Sequence, residues 1–282
     1  MAEGDQQAST ETIIITALST LTPPQLSHLT HTISSAFHRR HHHRLSSLLS
    51  SPTLFSQTLH HLHSLSLPHK SLLLSRYLLS TLRHLTLFFT TPPPPQTTVL
   101  KLQDYDAVLL LLVLCELHQQ YPEALETPQA EWRGILGGYL LDNMLSISGI
   151  GVHTGAVLIQ YIEVVARCLR FVGAVGGGGE KLGTEVAASP AVVVALPSVE
   201  VSGVGLECVI CKEEMRRGRD VCELPCEHLF HWMCILPWLS KRNTCPCCRF
   251  RLPSDDVFGE IQRLWGVVVK MGSGRRSDGE SR

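Results

Sequence analysis

Six cysteines and two histidines in the last third of the sequence have the spacing of metal ligands. They form four close pairs, with fourteen residues between the first and second pairs, two between the second and third, and ten between the third and fourth. Thiolate and imidazole groups bind zinc tetrahedrally in sets of four. The sequence therefore predicts two structural zinc ions, and their eight ligands are Cys208, Cys211, Cys226, His228, His231, Cys234, Cys245 and Cys248.

Spacing does not fix how the four pairs share two ions. In a sequential scheme each ion takes neighbouring pairs. In a crossed scheme the first and third pairs share one ion, and the second and fourth share the other. Only two residues separate His228 from His231, so a sequential scheme requires the third pair to turn away from the second. The crossed scheme is sterically reasonable, and at this point both remain open.

Composition indicates a folded protein of a reducing compartment. The 282 residues can hold two modest domains, and 44% of them are hydrophobic while 17% are charged. Eight of the ten cysteines lie within residues 208–248, and this clustering indicates metal binding rather than a disulfide framework. Cys222 and Cys247 belong to none of the four pairs. We expect Cys222 to be a small apolar loop residue, and Cys247 to face solvent or to pack in the module.

Charge and hydropathy argue against nucleic-acid and membrane partners. The net charge is −1, and acidic residues interleave with the basic residues of the cysteine-rich region without stacking aromatic residues. The longest apolar run, Ala107–Cys115, has nine residues, whereas a transmembrane helix needs about 18. The first twelve residues carry three acidic residues and no arginine. We therefore expect no transmembrane segment, no transit peptide and no nucleic-acid binding.

The segment 12–172 is predicted to form an α-helical bundle of six or seven helices. Apolar residues recur there at helical spacing, as in Leu45, Leu48 and Leu49, and prolines punctuate the segment. Residues 99–120 are apolar on nearly all sides, which is typical of a buried central helix. Trp132 and Tyr139 lie seven positions apart and predict packing on one helical face.

The one conspicuous basic cluster of this region is His38–Arg44, which contains four histidines and three arginines. These residue types could bind a metal or an acidic partner. No acidic residue or cysteine lies nearby in the sequence to complete a site. The cluster is therefore interpreted as a solvated helix face.

Two further segments flank the cysteine-rich region. Residues 173–205 predict a flexible glycine-rich linker, in which the apolar run Val192–Pro197 forms a short extended segment beside the zinc module. Residues 254–272 predict a helix that Ser254 caps and whose apolar stripe must be buried, either within the chain or by self-association. Residues 273–282 predict a disordered tail. The expected fold class is mainly α.

Three strings in the cysteine-rich region resemble a RING finger of the two-histidine type, as found in ubiquitin-protein ligases. They are Cys-Val-Ile-Cys-Lys at 208–212, Leu-Pro-Cys-Glu-His-Leu-Phe-His-Trp-Met-Cys at 224–234 and Thr-Cys-Pro-Cys-Cys-Arg at 244–249. The similarity covers residues 206–253 and implies a small cross-braced zinc domain. By this resemblance one ion is held by Cys208, Cys211, His231 and Cys234, and the other by Cys226, His228, Cys245 and Cys248.

The same resemblance implies a surface for a ubiquitin-conjugating enzyme at Ile210, Trp238 and Pro246. Arg249 resembles the linchpin residue that hydrogen-bonds both the conjugating enzyme and its attached ubiquitin, which would speed lysine attack through positioning. The implied activity is that of a RING-type ubiquitin transferase that forms no covalent ubiquitin–enzyme intermediate and acts on an unidentified protein substrate. In this reading the helical domain, residues 12–172, selects the substrate or the site of action. A zinc-dependent interaction scaffold without ligase activity is the alternative.

The whole chain resembles plant ubiquitin ligases of shoot gravitropism that associate with amyloplasts. The residues that carry this similarity are 143–146, 187–201 and 255–265. The resemblance implies action at the plastid surface, on the cytosolic face where ubiquitin is present, with an effect on the interaction between amyloplasts and actin. Location in the cytosol is the alternative.

Overall fold

The structure is a computed structural model that describes residues 9–90, 100–147, 154–176, 186–201, 205–215 and 221–273. The chain divides into two compact units. The first comprises residues 1–85, 98–178 and 268–282, and the second comprises residues 86–97 and 179–267. The mainly α fold predicted from the sequence is confirmed. The predicted tail, 273–282, lies outside the described residues except for Ser273.

The first unit is helical, and eight α-helices lie in its described part before residue 177. This is more than the six or seven predicted, in part because prolines at 23 and 52 begin helices, where a missing N–H costs nothing. A π-helical stretch, Ile33–His38, joins the second helix to the third. The helices are α1 (Thr10–Ser19), α2 (Pro23–Thr32), α3 (Arg39–Ser50), α4 (Pro52–Ser64), α5 (Leu67–Leu85), α6 (Leu102–Gln120), α7 (Gln129–Ile147) and α8 (Thr154–Gly176).

Helix α6 is the centre of this unit, as the sequence predicted. It contacts α3, α4, α5 and α7, and its side chains are buried on most sides. Tyr139 of α7 and Leu48 of α3 are buried, and Trp132 packs against the same core, so the predicted packing role of the aromatic pair is confirmed. Within the described ranges, no helix combines the length and apolar character that crossing a membrane requires.

The prediction of a solvated face is wrong for part of the basic cluster. The guanidinium of Arg44 donates to both carboxylate oxygens of Asp106 on α6, at 2.9 and 2.5 Å. His41 lies among aromatic rings, and burial lowers its pKa to about 3 because the imidazolium would lose its hydration. Asp106 is 62 positions away in sequence, so only the tertiary fold reveals it. Arg39 and His42 do face solvent.

The described part of the second unit contains a small antiparallel sheet, two short helices and the beginning of the carboxy-terminal helix. Its strands are β1 (Ser198–Val199), β2 (Val221–Glu223) and β3 (Leu229–His231), in the order β1-β2-β3. Val221 pairs with Val199 on one side and with His231 on the other. Helix α9 (Pro190–Val194) precedes the sheet, and α10 (Trp232–Leu239) follows it directly. The buried core includes Phe230, Ile235 and Leu239.

Residues 186–201 are built into this unit. The backbone N–H of Ala188 donates to Leu239 O, and that of Ser189 donates to Pro253 O, both at 2.9 Å. The prediction of an extended segment at Val192–Pro197 is wrong, because Pro190 begins a helix and only the residues after Pro197 become a strand. The prediction that this segment lies beside the cysteine-rich module is confirmed, since Val192 and Leu196 are part of its core.

This packing predicts that Leu196 stabilises the cysteine-rich module from outside residues 206–253. Leu196 is 8% exposed, and its replacement by alanine is expected to cost about 2–4 kcal/mol of unfolding free energy, because buried methyl groups are lost and a cavity remains. Val194 is 86% exposed, and Val194→Ala is the matched control with an expected change below about 0.5 kcal/mol. Thermal melting of the full chain measures both, and equal melting temperatures would contradict the prediction.

The carboxy-terminal helix α11 (Val257–Gly272) begins differently from the prediction. The side chain of Asp256 accepts a hydrogen bond from the backbone N–H of Gly259 at 2.5 Å, so Asp256 caps the helix. The hydroxyl of Ser254 is buried and has no hydrogen-bond partner among the described residues. The expected burial of the apolar stripe is confirmed, because Ile261 and Leu264 are buried within the chain.

Candidate functional site

The eight paired cysteines and histidines come together in two groups. Within each group, every residue offers one ligand atom, and these atoms all lie within 4.8 Å of one another. The first and third pairs share one group, and the second and fourth share the other, so the arrangement is the crossed one. The groups are Cys208, Cys211, His231 and Cys234, and Cys226, His228, Cys245 and Cys248.

The β2–β3 hairpin explains why the crossed arrangement forms. Cys226 and His228 lie in its turn, whereas His231 ends β3 at the base, opposite Val221. Three residues of extended backbone span about 10 Å and successive side chains alternate in direction, which favours different ions for His228 and His231. Helix α10 starts at the next residue and places Cys234 beside His231.

Two similar backbone turns present the first and fourth pairs. In one, the N–H of Lys212 donates to Cys208 O at 2.7 Å, and in the other the N–H of Arg249 donates to Cys245 O at 3.0 Å. Lys212 and Arg249 each follow the second cysteine of their pair and have φ values of 63° and 60°. This left-handed conformation is uncommon outside glycine, so both positions are set by the turn that orients the cysteines.

The residues present fit a tetrahedral metal ion. Each group supplies three thiols and one imidazole, and bonds of about 2.0–2.3 Å to such donors place neighbouring ligand atoms roughly 3–4 Å apart. Nδ1 of His231 is 3.3 Å from Cys211 Sγ, which matches this spacing. Nδ1 of His228 is buried without a hydrogen-bond partner in the described part of the chain. Burial raises the pKa of Cys226 and Cys234 above its ordinary value, so a bound cation must displace their protons.

The residues expected to contact a conjugating enzyme are accessible. Ile210 is 37% exposed, Arg249 is exposed, and Trp238 and Pro246 are half-buried. The indole N–H of Trp238 donates to Thr244 O at 2.7 Å, which ties α10 to the turn that carries Cys245 and Pro246. Of the two unpaired cysteines, Cys247 is exposed, as expected. Cys222 is buried in the core as an apolar residue, but the prediction that it lies in a loop is wrong, because it pairs with Phe230 within strand β2.

Sequence reasoning missed several neighbours of this surface. The guanidinium of Arg242 lies over the ring of Trp238. Two exposed apolar residues, Val209 and Phe250, flank Ile210 and Arg249 in sequence. Elsewhere in this unit, the indole N–H of Trp232 donates to Ser198 Oγ at 2.8 Å, which ties the start of α10 to β1. The sequence alone could have indicated Phe250, because it directly follows Arg249. It could not have indicated the contact of Arg242 with Trp238, because that contact depends on the backbone turn after α10.

Two interleaved Cys/His groups, presented by two backbone turns, the β2–β3 hairpin and one short helix, define a RING finger. Residues 206–249 match the ring finger domain family. The chain is also 53% identical over 272 residues to the E3 ubiquitin-protein ligase SGR9, amyloplastic, of Arabidopsis thaliana, and the match covers 92% of this chain and 95% of that protein. The chain therefore belongs to the family of RING-type E3 ubiquitin-protein ligases that includes SGR9.

Two further relatives match a smaller part of the chain. RNF181 of Xenopus laevis is 51% identical over 72 residues, which are 24% of this chain and 46% of that ligase. RING1 of Gossypium hirsutum is 38% identical over 106 residues, or 34% of this chain and 31% of that protein. The family and the ubiquitin-transferase class predicted from the sequence are thus confirmed.

Proposed function

We propose that the RING finger recruits a ubiquitin-charged conjugating enzyme and promotes direct ubiquitin transfer to a lysine of a bound substrate. The observation that carries this proposal is the position of Trp238, whose half-buried indole is fixed to Thr244 beside the second Cys/His group. Fixed aromatic residues at a surface are frequent energetic centres of protein interfaces. Ile210 and Pro246 supply further apolar contact to the conjugating enzyme.

Two Zn²⁺ ions, one in each Cys/His group, complete this site. The donor sets leave no open coordination position, so each ion would link distant parts of the chain and would contact no substrate. A module of about 50 residues has little core of its own, and structural zinc supplies about 10–16 kcal/mol of apparent binding free energy per site in zinc-finger peptides. Metal binding and folding of the RING finger are therefore one equilibrium.

Arg249 is proposed to act on the charged conjugating enzyme. Its backbone is fixed by the hydrogen bond to Cys245 O, and its side chain is exposed. The guanidinium is a planar fork of five donors, which suits simultaneous hydrogen bonds to the conjugating enzyme and to its ubiquitin. Holding both in one pose aligns the thioester for attack by lysine. No cysteine of this chain needs to carry ubiquitin in such a transfer.

The place of action is proposed to be the surface of amyloplasts. The support is the 53% identity to a ligase described as amyloplastic, which suggests plastid association, together with the resemblance to ligases of shoot gravitropism. The helical unit would select the substrate or the plastid, and the cytosolic face would give access to ubiquitin. Proximity labelling with the full chain and with a chain lacking residues 1–172 tests this, and identical plastid neighbours would overturn a targeting role for the helical unit.

Self-association through residues 254–272 remains a prediction. The buried stripe of α11, which includes Ile261 and Leu264, is covered within a single chain. A monomeric mass in light scattering at micromolar concentration would refute self-association.

Replacement of Trp238 tests the proposed conjugating-enzyme surface. Trp238→Ala removes the aromatic contact, and we expect affinity for the conjugating enzyme to fall about 30-fold, because interface hot spots contribute about 2 kcal/mol or more. Met233→Ala, at an 83% exposed position of the same helix α10, is the control and is expected to bind as the wild type does. Calorimetry and autoubiquitination measure the effect. An inactive wild-type chain with several conjugating enzymes would instead support the interaction scaffold without ligase activity.

A further inference from the structure

Arg242 covers one face of the Trp238 indole. Its guanidinium carbon lies 4.9 Å from the ring centroid. The turn after α10 fixes this approach, because the backbone N–H of Arg242 donates to Trp238 O at 2.8 Å. The indole N–H donates to Thr244 O at 2.7 Å. One contact therefore holds the edge of the ring, and the other holds its face.

We propose that Arg242 is a positioning residue for the conjugating-enzyme surface. It holds the indole of Trp238 in the orientation that the conjugating enzyme binds. This inference rests on the proposed function. Trp238 is only half-buried, so its own packing does not restrict both side-chain torsions as a core site would. A residue already held in its bound orientation loses less conformational freedom on binding, and this raises affinity.

Arginine is suited to this role because its planar guanidinium stacks on aromatic faces, whereas the ammonium group of lysine is a compact point charge. The exposed position of Arg242 limits the strength of the contact. At exposed sites such a cation–π contact changes an equilibrium by about two- to five-fold. The expected effect is therefore a moderate change in affinity and no change in the chemical step.

Long-range steering by the positive charge makes different predictions from local positioning. Steering acts without Trp238, is preserved by Arg242→Lys and is lost at high salt. Local positioning requires the indole, is only partly preserved by lysine and persists at high salt. Both mechanisms differ from the role of Arg249, whose loss is expected to lower the rate of the step that follows binding.

The test measures steady-state ubiquitin discharge by the full chain as the concentration of charged conjugating enzyme is varied. Arg242→Ala is expected to raise the KM for the charged conjugating enzyme about two- to five-fold, with kcat and bound zinc unchanged. The KM of Arg242→Lys is expected to lie between those of Arg242→Ala and the wild type. In a Trp238→Ala background, Arg242→Ala should change kcat/KM no further, because coupled residues are not additive. Lys241→Ala, an exposed neighbour, is the matched control with unchanged kinetics.

Three results would overturn the inference. One is an unchanged KM for Arg242→Ala, provided that Trp238→Ala is impaired in ubiquitin discharge. Another is an equal effect of Arg242→Ala in the wild-type and Trp238→Ala backgrounds. The third is an effect of Arg242→Ala on KM that disappears in 0.5 M salt, because salt at this concentration screens exposed charges that are more than about 5 Å apart. Failure of the proposed function is distinguishable, because the wild-type chain itself would then discharge no ubiquitin.

Discussion

Replacing Cys248 with serine is expected to abolish ubiquitin transfer, whereas replacing the adjacent Cys247 is expected to leave transfer intact. Both cysteines are exposed, so neither replacement removes much buried surface. Only Cys248 belongs to a group of four ligand residues. A serine hydroxyl is a poor substitute for a thiolate ligand, and loss of one zinc removes free energy that a module of this size cannot replace from its core.

Zinc content, thermal melting and ubiquitin transfer of the full chain measure this contrast. We expect two zinc ions in Cys247→Ser, because its backbone N–H, which donates to Cys245 Sγ, is retained. Cys248→Ser should hold fewer than two ions and lose the melting transition of the RING finger. Two retained ions and normal transfer in Cys248→Ser would show that the second group is not a structural metal site.

Replacing Arg249 with glycine is expected to slow ubiquitin transfer about 10- to 100-fold while the RING finger remains folded. Hydrogen bonds to charged groups contribute about 1.5–3 kcal/mol, which corresponds to this range of rates. Arg249 has a φ of 60°, and glycine adopts this conformation without the steric cost that other residues incur. The substitution therefore removes the side chain without disturbing the turn that presents Cys245 and Cys248.

Lys212→Gly is the matched control for this substitution. Lys212 has the equivalent position in the first turn, with a φ of 63° and the corresponding hydrogen bond to Cys208 O. Single-turnover discharge at saturating charged conjugating enzyme should be slow for Arg249→Gly and near the wild-type rate for Lys212→Gly. Equal rates for the two variants, or loss of zinc from Arg249→Gly, would contradict the assignment of Arg249 to the transfer step.

The pattern of ligands was readable from the sequence because metal coordination requires particular residue types at short spacing. The crossed grouping was not readable from the spacing of the ligands, because that spacing leaves two schemes open. The separation of His228 from His231 depends on the β2–β3 hairpin. The resemblance to RING fingers supplied that grouping in advance. The roles assigned to Ile210, Trp238, Pro246 and Arg249 remain predictions, which the variants above test.

Outside the RING finger, the sequence predicted elements better than contacts. The buried helix α6 followed from a long apolar segment, but the pairing of Arg44 with Asp106 joins residues on separate helices and leaves no local signal. The sequence predicts segment 186–201 to be part of a linker, because its neighbours are glycine-rich. Its role in the core depends on backbone hydrogen bonds to Leu239 and Pro253, which no sequence pattern records. The domain boundaries remain predictions.

The central claim is that two metal-held Cys/His groups support a surface that activates a charged conjugating enzyme. Discharge of ubiquitin from that enzyme to free lysine tests it most directly, with the zinc-loaded full chain and with the same chain after zinc removal by a chelator. The account predicts acceleration by the zinc-loaded chain, its loss after chelation, and its recovery when zinc is returned. The account would be contradicted if a folded chain with two bound zinc ions failed to accelerate ubiquitin discharge from every conjugating enzyme tested.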